Sequence, residues 1–287
     1  MTTRTLDPSV NRNKLGRALR AARKSADLTQ REAAESLVWS LSKVIRIENG
    51  LVSVSVTDLR AMIQLYGIEA PDARAELEEA ARGSRGVNWW TDYYDVLSTQ
   101  FSQYLGWETA ADTISLYHPI VIPGQLQTEA YARALLAPRD VPADRVVRLA
   151  ALRAARQRRL FDPEHGPEVS VVLDEASLRR WVGGPEVMAD QLRSIVELSR
   201  HPRVAISVLP LSAGAHYSTG GNFVLLGLPG DGDLLWVETT AGILTSRHDL
   251  KLLESYQRCF AEISARALTG AKAIELISAI ESGIRGR

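Results

Sequence analysis

The chain has 287 residues, 45% hydrophobic and 24% charged, with 34 basic and 34 acidic side chains. That is enough for about two domains, with no apolar run near the roughly 18 residues of a membrane helix and no apolar secretion signal in the opening stretch. A single cysteine, Cys259, excludes an intramolecular disulfide framework and any multi-cysteine zinc module, and suits a reducing cytoplasm.

The charge is uneven. Residues 11–50 carry nine Lys/Arg against four Asp/Glu, and "IEAPDARAELEEAAR" then reverses the sign. A basic N-terminal module in a neutral chain points to an anionic partner, nucleic acid first. Leu15, Ala18, Leu19 and Ala22 fall at helical spacing, with arginines on the other face. Thr29-Gln30-Arg31-Glu32 is a capping box, in which hydroxyl and carboxylate each satisfy the other residue's backbone N–H. Ala33, Ala34 and Leu37 form a small apolar face. Ser40 caps a further helix, with Val44 and Ile47 inward and Asn49-Gly50 at its end. Ser55 with Asp58 caps a fourth helix, and Pro71 opens a fifth that stops near Gly83.

"GSRG" at 83–86 is a hinge, and the composition changes after it. "VNWWTDYYDVLSTQFSQYLGWE" holds seven of the chain's eighteen aromatic residues. Strand-like runs follow at 113–119, 168–175, 203–211, 222–228 and 233–239, the last two flanking a "PGDG" hairpin turn. Helical stretches lie between them, at 127–137, 143–160, 185–200 and about 249–265. The predicted fold is multidomain. An all-α five-helix domain spans residues 1–83 and aromatic-rich linker helices span 84–110. A mixed-sheet α+β domain spans 111–287.

"LTQREAAESLVWSLSKVIRIENG", residues 28–50, fits a helix-turn-helix. The first helix braces the second across the DNA backbone, and the second lays its N-terminal residues along base edges in the major groove. Arg46 lies one turn beyond Ser42 on the same face. "LTQ", "SLSKVIRIENG" and "LGRALRAARK" resemble the Xre family, whose DNA-binding domain is of the lambda-repressor/Cro type. The resemblance covers residues 12–83. It implies that Gln30 clamps a phosphate, that Leu41, Ser42 and Arg46 face bases, and that Ser40 and Lys43 sit near the DNA backbone. Arginine can read guanine bidentately, and lysine adds a salt-sensitive phosphate contact. One departure stands out. Motifs of this type usually carry glycine in the turn, whereas this chain has Val38. A β-branched residue at positive φ is an outlier, so either the turn is remodelled or it stores about 1–3 kcal/mol of strain.

"NWWTDYYDV", "PIVIPGQLQTEAYARALL", "VVLDEASLRRWVGGPEVMADQL" and "VLPLSAGAH" resemble the C-terminal domain of unknown function in the WhiJ-like group of actinobacterial regulators. That resemblance implies a cytoplasmic regulator, often encoded beside a small partner protein and sometimes antitoxin-like, with no known catalytic residues. Double-stranded DNA is the expected partner, bound as a homodimer on an inverted repeat. No phosphate-binding, dinucleotide-binding, metalloprotease or nucleophile-elbow motif is present, no cofactor is implied, and the five histidines, His248 among them, lack metal-ligand spacing.

Glu175, His216 in the "SAGAHYSTGG" loop and Glu238 are the candidate pocket residues, for a ligand or a partner peptide. Acid–base chemistry there, with Asp174, is the alternative that would make the chain an enzyme with a DNA-targeting domain. The plainer reading has Glu175 capping the helix that begins "ASLRR" and Glu238 paired with an arginine. The aromatic stretch either stacks bases or, as its acidic neighbours favour, packs onto the second domain or a dimer interface. The basic stretch 145–160 is either a second DNA contact or a solvated face whose stripe of Val146, Leu149 and Leu152 docks on the sheet.

Overall fold

The computed structural model describes residues 8–50, 52–137, 141–216, 221–228, 232–239, 242–247 and 249–285. It divides into two compact units, Met1–Ala110 and Ala111–Arg287.

The first unit opens with α1 (Pro8–Ser25), α2 (Gln30–Leu37) and α3 (Leu41–Glu48). It continues through α4 (Val56–Leu65), α5 (Pro71–Gly83), a 3-10 turn (Thr91–Tyr93) and α6 (Thr99–Ala110). Its core gathers Leu15, Leu19, Ala33, Ile47, Leu59, Met62 and Ala81. The caps form where the residue spacing predicts them. Thr29 and Glu32 make both bonds of the capping box, and the Ser40 and Ser55 hydroxyls accept from the backbone N–H groups of Lys43 and Asp58. The inward face of α1 differs from the expected one. Ala18 is exposed, whereas Arg12 and Arg23 are buried with Leu15 and Leu19. Buried guanidiniums persist only when saturated with acceptors. Arg12 donates to the carbonyls of Ser84 and Gly86 and to the Asn88 side chain, which ties the start of α1 to the segment after α5.

Gly16 lets α1 and α3 touch backbone to backbone. A Cβ there would lie 2.6 Å from the Ile47 carbonyl oxygen and 2.8 Å from that of Glu48. The aromatic stretch packs within this same unit, with α6 against α1. Trp89 and Trp90 meet edge to face at 5.5 Å, and Phe101 stacks on Tyr104 at 5.6 Å. Trp90 and Tyr104 are buried, and the Tyr104 hydroxyl donates to Glu108 Oε1 at 2.9 Å.

The second unit is a six-stranded mixed sheet. Its strands are β1 (Thr113–His118), β2 (Glu168–Asp174), β3 (Val204–Leu209), β4 (Phe223–Leu228), β5 (Gly232–Thr239) and β6 (Gly242–Ser246). The spatial order is β3-β2-β1-β4-β5-β6, with β1, β2 and β3 parallel and the rest antiparallel. Helices α7 (Glu129–Leu136) and α8 (Ala143–Leu160) lead from β1 to β2. From β2 to β3 the chain passes through α9 (Glu175–Arg179) and α10 (Gly184–Leu198). The chain continues through α11 (Leu250–Arg266) and α12 (Gly270–Arg285). One sheet face buries Tyr117, Val172, Leu209, Phe223, Leu225 and Val237 against Leu253, Cys259 and Ile263 of α11. β6 and α12 lie beyond the elements expected from the sequence. β6 is a short edge strand without alternating burial, whereas α12 buries Ala273, Ile277, Ile280 and Ile284 at helical spacing. α8 packs on α7 with Leu152 buried and Val146 and Leu149 half-buried. Most of "PGDG" and His248 lie outside the described residues.

The helix-turn-helix turn keeps its geometry without glycine. Val38 is left-handed at φ 57 and ψ 41, and its backbone N–H bonds back to the Glu35 carbonyl. Its side chain is 91% exposed, so no packing offsets the strain. Replacing Val38 with glycine is expected to stabilise the first unit by about 1 kcal/mol, because the left-handed penalty outweighs glycine's extra unfolded-state entropy. Slower hydrogen exchange at the core amides of α1 and α3 would register the gain.

Candidate nucleic-acid interface

The helix α3 is built with two unlike faces. Val44, Ile47 and Glu48 are buried, whereas Ser42 and Arg46 are exposed and Leu41 and Lys43 half-buried. Ser40, exposed, holds the N-terminus of α3 by accepting from the Lys43 N–H at 3.2 Å.

The buried face ends in a charge. The Glu48 side chain has no exposed surface. Its Oε1 lies 2.6 Å from Arg23 Nε, and its Oε2 accepts from Arg23 Nη2 at 3.0 Å and from Gln30 Nε2 at 2.9 Å. Arg20 adds a bond to the Glu48 carbonyl oxygen and another to the Asn49 side chain. One carboxylate of α3 is thus gripped by α1 and by the first residue of α2. The hydrogen bonds from Arg23 to Glu48 raise the guanidinium pKa further, and burial with the Glu48 charge pushes the Tyr66 hydroxyl up to about 12. Glu48 enters the sequence reading only as one of four acidic residues; its neighbour Ile47 places it at the inner edge of α3, which is the one local sign of its burial.

The cations divide into held and open ones. Lys43 Nζ pairs with Asp58 at 2.9 Å and sits 3.7 Å from the centroid of the Trp39 ring. Arg46, Arg31 and Lys24 are exposed and make no hydrogen bond or ion pair with the described residues. Arg31 is the second residue of α2, beside Gln30. A cation there opposes the helix dipole, which costs stability unless an anion binds nearby. Arg31 was legible as part of the capping box but not as an open charge.

In the second unit, Glu175 and His216 lie around the end of β2, and Glu238 does not join them. Asp174, not Glu175, caps α9: its Oδ1 accepts from the Ala176 N–H at 2.9 Å. Its Oδ2 accepts from the Tyr117 hydroxyl at 3.0 Å and lies 3.7 Å from His216 Nε2. Tyr117 and His216 rings meet edge to face, with the hydroxyl 3.3 Å from Nε2. Burial, reinforced by Asp174, raises the Tyr117 pKa well above its ordinary value. Glu175 is also committed, with Oε1 on Arg179 and Oε2 accepting from the Leu211 N–H at 2.8 Å. Glu238 lies exposed on β5, one residue out of phase with Val237, so it points to the opposite sheet face. It accepts from the Trp236 indole at 3.0 Å rather than pairing with an arginine. Tyr117 was hidden inside a strand pattern, where a tyrosine reads as core. Residues 217–220 of the "SAGAHYSTGG" loop lie outside the described residues.

The two capped helices, the tight turn and the exposed face of α3 define a helix-turn-helix DNA-binding domain, and a family model described as a helix-turn-helix domain matches residues 14–77. A domain of this kind points to DNA binding in a regulator. A second model, a domain of unknown function designated DUF5753, matches residues 101–279, more than half of the chain, and the chain belongs to that family. Neither curated proteins nor solved structures yield a match. Among the described residues no helix is long and apolar enough to cross a membrane.

Two outcomes follow from these charges. Glu48→Gln leaves the buried Arg23 without its counter-charge and is expected to cost the first unit about 3–5 kcal/mol, while the paired change of Arg23 and Glu48 to methionine costs much less. Urea unfolding of the three proteins compares them. In the second unit, burial and then the Arg156 charge push His118 from its ordinary 6.5 down to about 4. A depressed imidazole contributes stability that is complete above about pH 6.5 and drains away as pH falls towards 4. The loss of urea stability between pH 7 and pH 5 is therefore expected to be smaller in His118→Gln.

Proposed function

We propose that this chain is a sequence-specific transcriptional regulator of the Xre type that acts in the cytoplasm and reads the major groove with α3. One observation carries the reading: Ser42 and Arg46 stand exposed on the outer face of a helix whose inner face is locked by Glu48, and Arg46 has no partner among the described residues. An unpaired guanidinium on a helix held in place gives up no intramolecular partner when it bonds guanine, so the bond is opposed only by lost side-chain freedom and hydration. Leu41, half-buried at the start of α3, is suited to a thymine methyl. Gln30 and Arg31 at the start of α2 are suited to a phosphate, as helix N-termini are. Ser40 and Lys43 flank the DNA backbone. The Lys43–Asp58 pair is a partly exposed ion pair, worth at most about 1 kcal/mol, so a phosphate can take the lysine over.

The protein acts as a homodimer on an inverted repeat, since two half-sites multiply affinity and specificity. The second unit serves oligomerisation, a small partner protein or a ligand, in the manner of WhiJ-like regulators. The test is fluorescence anisotropy of the full chain on DNA from upstream of its own gene, against a scrambled duplex, across a salt series. Arg46→Ala is expected to lose about 1–3 kcal/mol of discrimination between the two duplexes. Arg31→Ala is expected to weaken both alike and to flatten the salt dependence by about one charge. Discrimination that survives Arg46→Ala would sink the assignment of α3 as the reader.

A further inference from the structure

A cavity of about 480 Å³ lies within the first unit, between the C-terminal end of α3 and the aromatic stretch. Arg46 and Asn49 form one side, and Trp90, Tyr94, Gly106 and Trp107 are on the other. Four features of this cavity point to a ligand. Its volume is in the range of small-molecule sites. Its lining holds one charge, the Arg46 guanidinium, and no carboxylate. Trp107 belongs to the lining, and its buried indole N–H has no acceptor among the described residues, which is unfavourable unless something supplies one. Finally, Gly106 sits in the interior of α6, where glycine weakens a helix, although a Cβ would meet only the Trp90 ring at 3.8 Å, an ordinary contact. Packing does not require glycine at that place, and a larger side chain would take up space in the cavity.

We propose that this cavity binds a planar aromatic carboxylate. The carboxylate pairs with the Arg46 guanidinium, whose fork matches it two bonds to two oxygens. The ring lies among Trp90, Tyr94 and Trp107, and the Trp107 N–H donates to a ligand oxygen. The occupant then controls DNA binding, because Arg46 cannot hold a carboxylate and a guanine at once. This regulatory half rests on the reading of Arg46 as the base contact; the binding half does not. Coupling is reciprocal, so operator DNA expels the ligand to the extent that the ligand expels DNA.

The experiment uses the full chain and three probes, indole-3-carboxylate, naphthalene-2-carboxylate and 4-hydroxybenzoate, each beside its uncharged amide. Binding is first read without DNA, by saturation-transfer NMR and calorimetry. At least one carboxylate is expected to bind with Kd below about 1 mM and about tenfold more tightly than its amide. Arg46→Gln should erase that preference, Trp107→Phe should weaken the carboxylate by about tenfold, and Gly106→Leu should abolish binding with far-UV circular dichroism unchanged. No binding by any of the three, or equal binding of acid and amide, overturns the site. The best probe is then added to the DNA anisotropy assay. Operator affinity that falls as the probe saturates supports the control, and affinity that does not move overturns it. A chain that binds a carboxylate but never discriminates operator from scrambled DNA overturns the DNA reading and leaves the site standing.

Discussion

The Glu48 carboxylate, sealed from solvent between Arg23 and Gln30, is the interaction on which the geometry of the N-terminal unit depends. A charge in that position is costly unless every oxygen is met, and here both are. The consequence is positional. α3 cannot rotate or slide without stranding Glu48, Arg23 and the Gln30 amide together. Gly16 sharpens the constraint, because α1 meets the last turn of α3 through bare backbone and leaves no slack between them. A pair of this kind adds little net stability compared with an apolar substitute; what it does here is link three helices in one arrangement.

That arrangement explains which basic residues remain available. The sequence shows an excess of five positive charges over residues 11–50, and much of it is used internally. Arg12 and Arg23 are buried, Arg20 holds the end of α3, Lys14 pairs with Glu76, and Lys43 pairs with Asp58. The open cations, Lys24, Arg31 and Arg46, are fewer than the count suggests. Arg46 stands on the exposed face of α3 and in the lining of the aromatic cavity, so the two proposals offer a single guanidinium to two acceptors, a base edge and a carboxylate. The strained Val38 turn is a separate matter: exposed and unpacked, it lowers stability while holding the left-handed conformation that ends α2.

In the second unit the acidic residues around the end of β2 are spent on the fold. Asp174 caps α9 with one oxygen and receives Tyr117 with the other, and Glu175 joins Arg179 to the backbone of Leu211. These bonds connect β1, β2 and the segment after β3, at the ends of three parallel strands. His216 completes the group from a loop, edge on to Tyr117. Glu238 is separated from it by the thickness of the sheet, through the two-residue alternation of β5.

The sequence by itself determined the local structure. The capping box at Thr29, the caps at Ser40 and Ser55, Pro71 at the head of α5 and five of the six strands rest on residues within a few positions of one another, so their chemistry is complete in a short window. The outer face of α3 was legible in part, since Ser42 and Arg46 lie one helical turn apart and both are exposed; Ser40 and Leu41 joined them only through the family resemblance. Only the tertiary structure decided which charges are free. Glu48 meets Arg23 across 25 positions, Arg12 meets Ser84 across 72, and Tyr117 meets Asp174 across 57. The aromatic stretch, which its sequence could equally have sent elsewhere, docks on α1. A lysine or a carboxylate looks the same in a sequence whether it faces water or a buried partner, because the energy that distinguishes the two is set by what folding brings within a few ångströms of it.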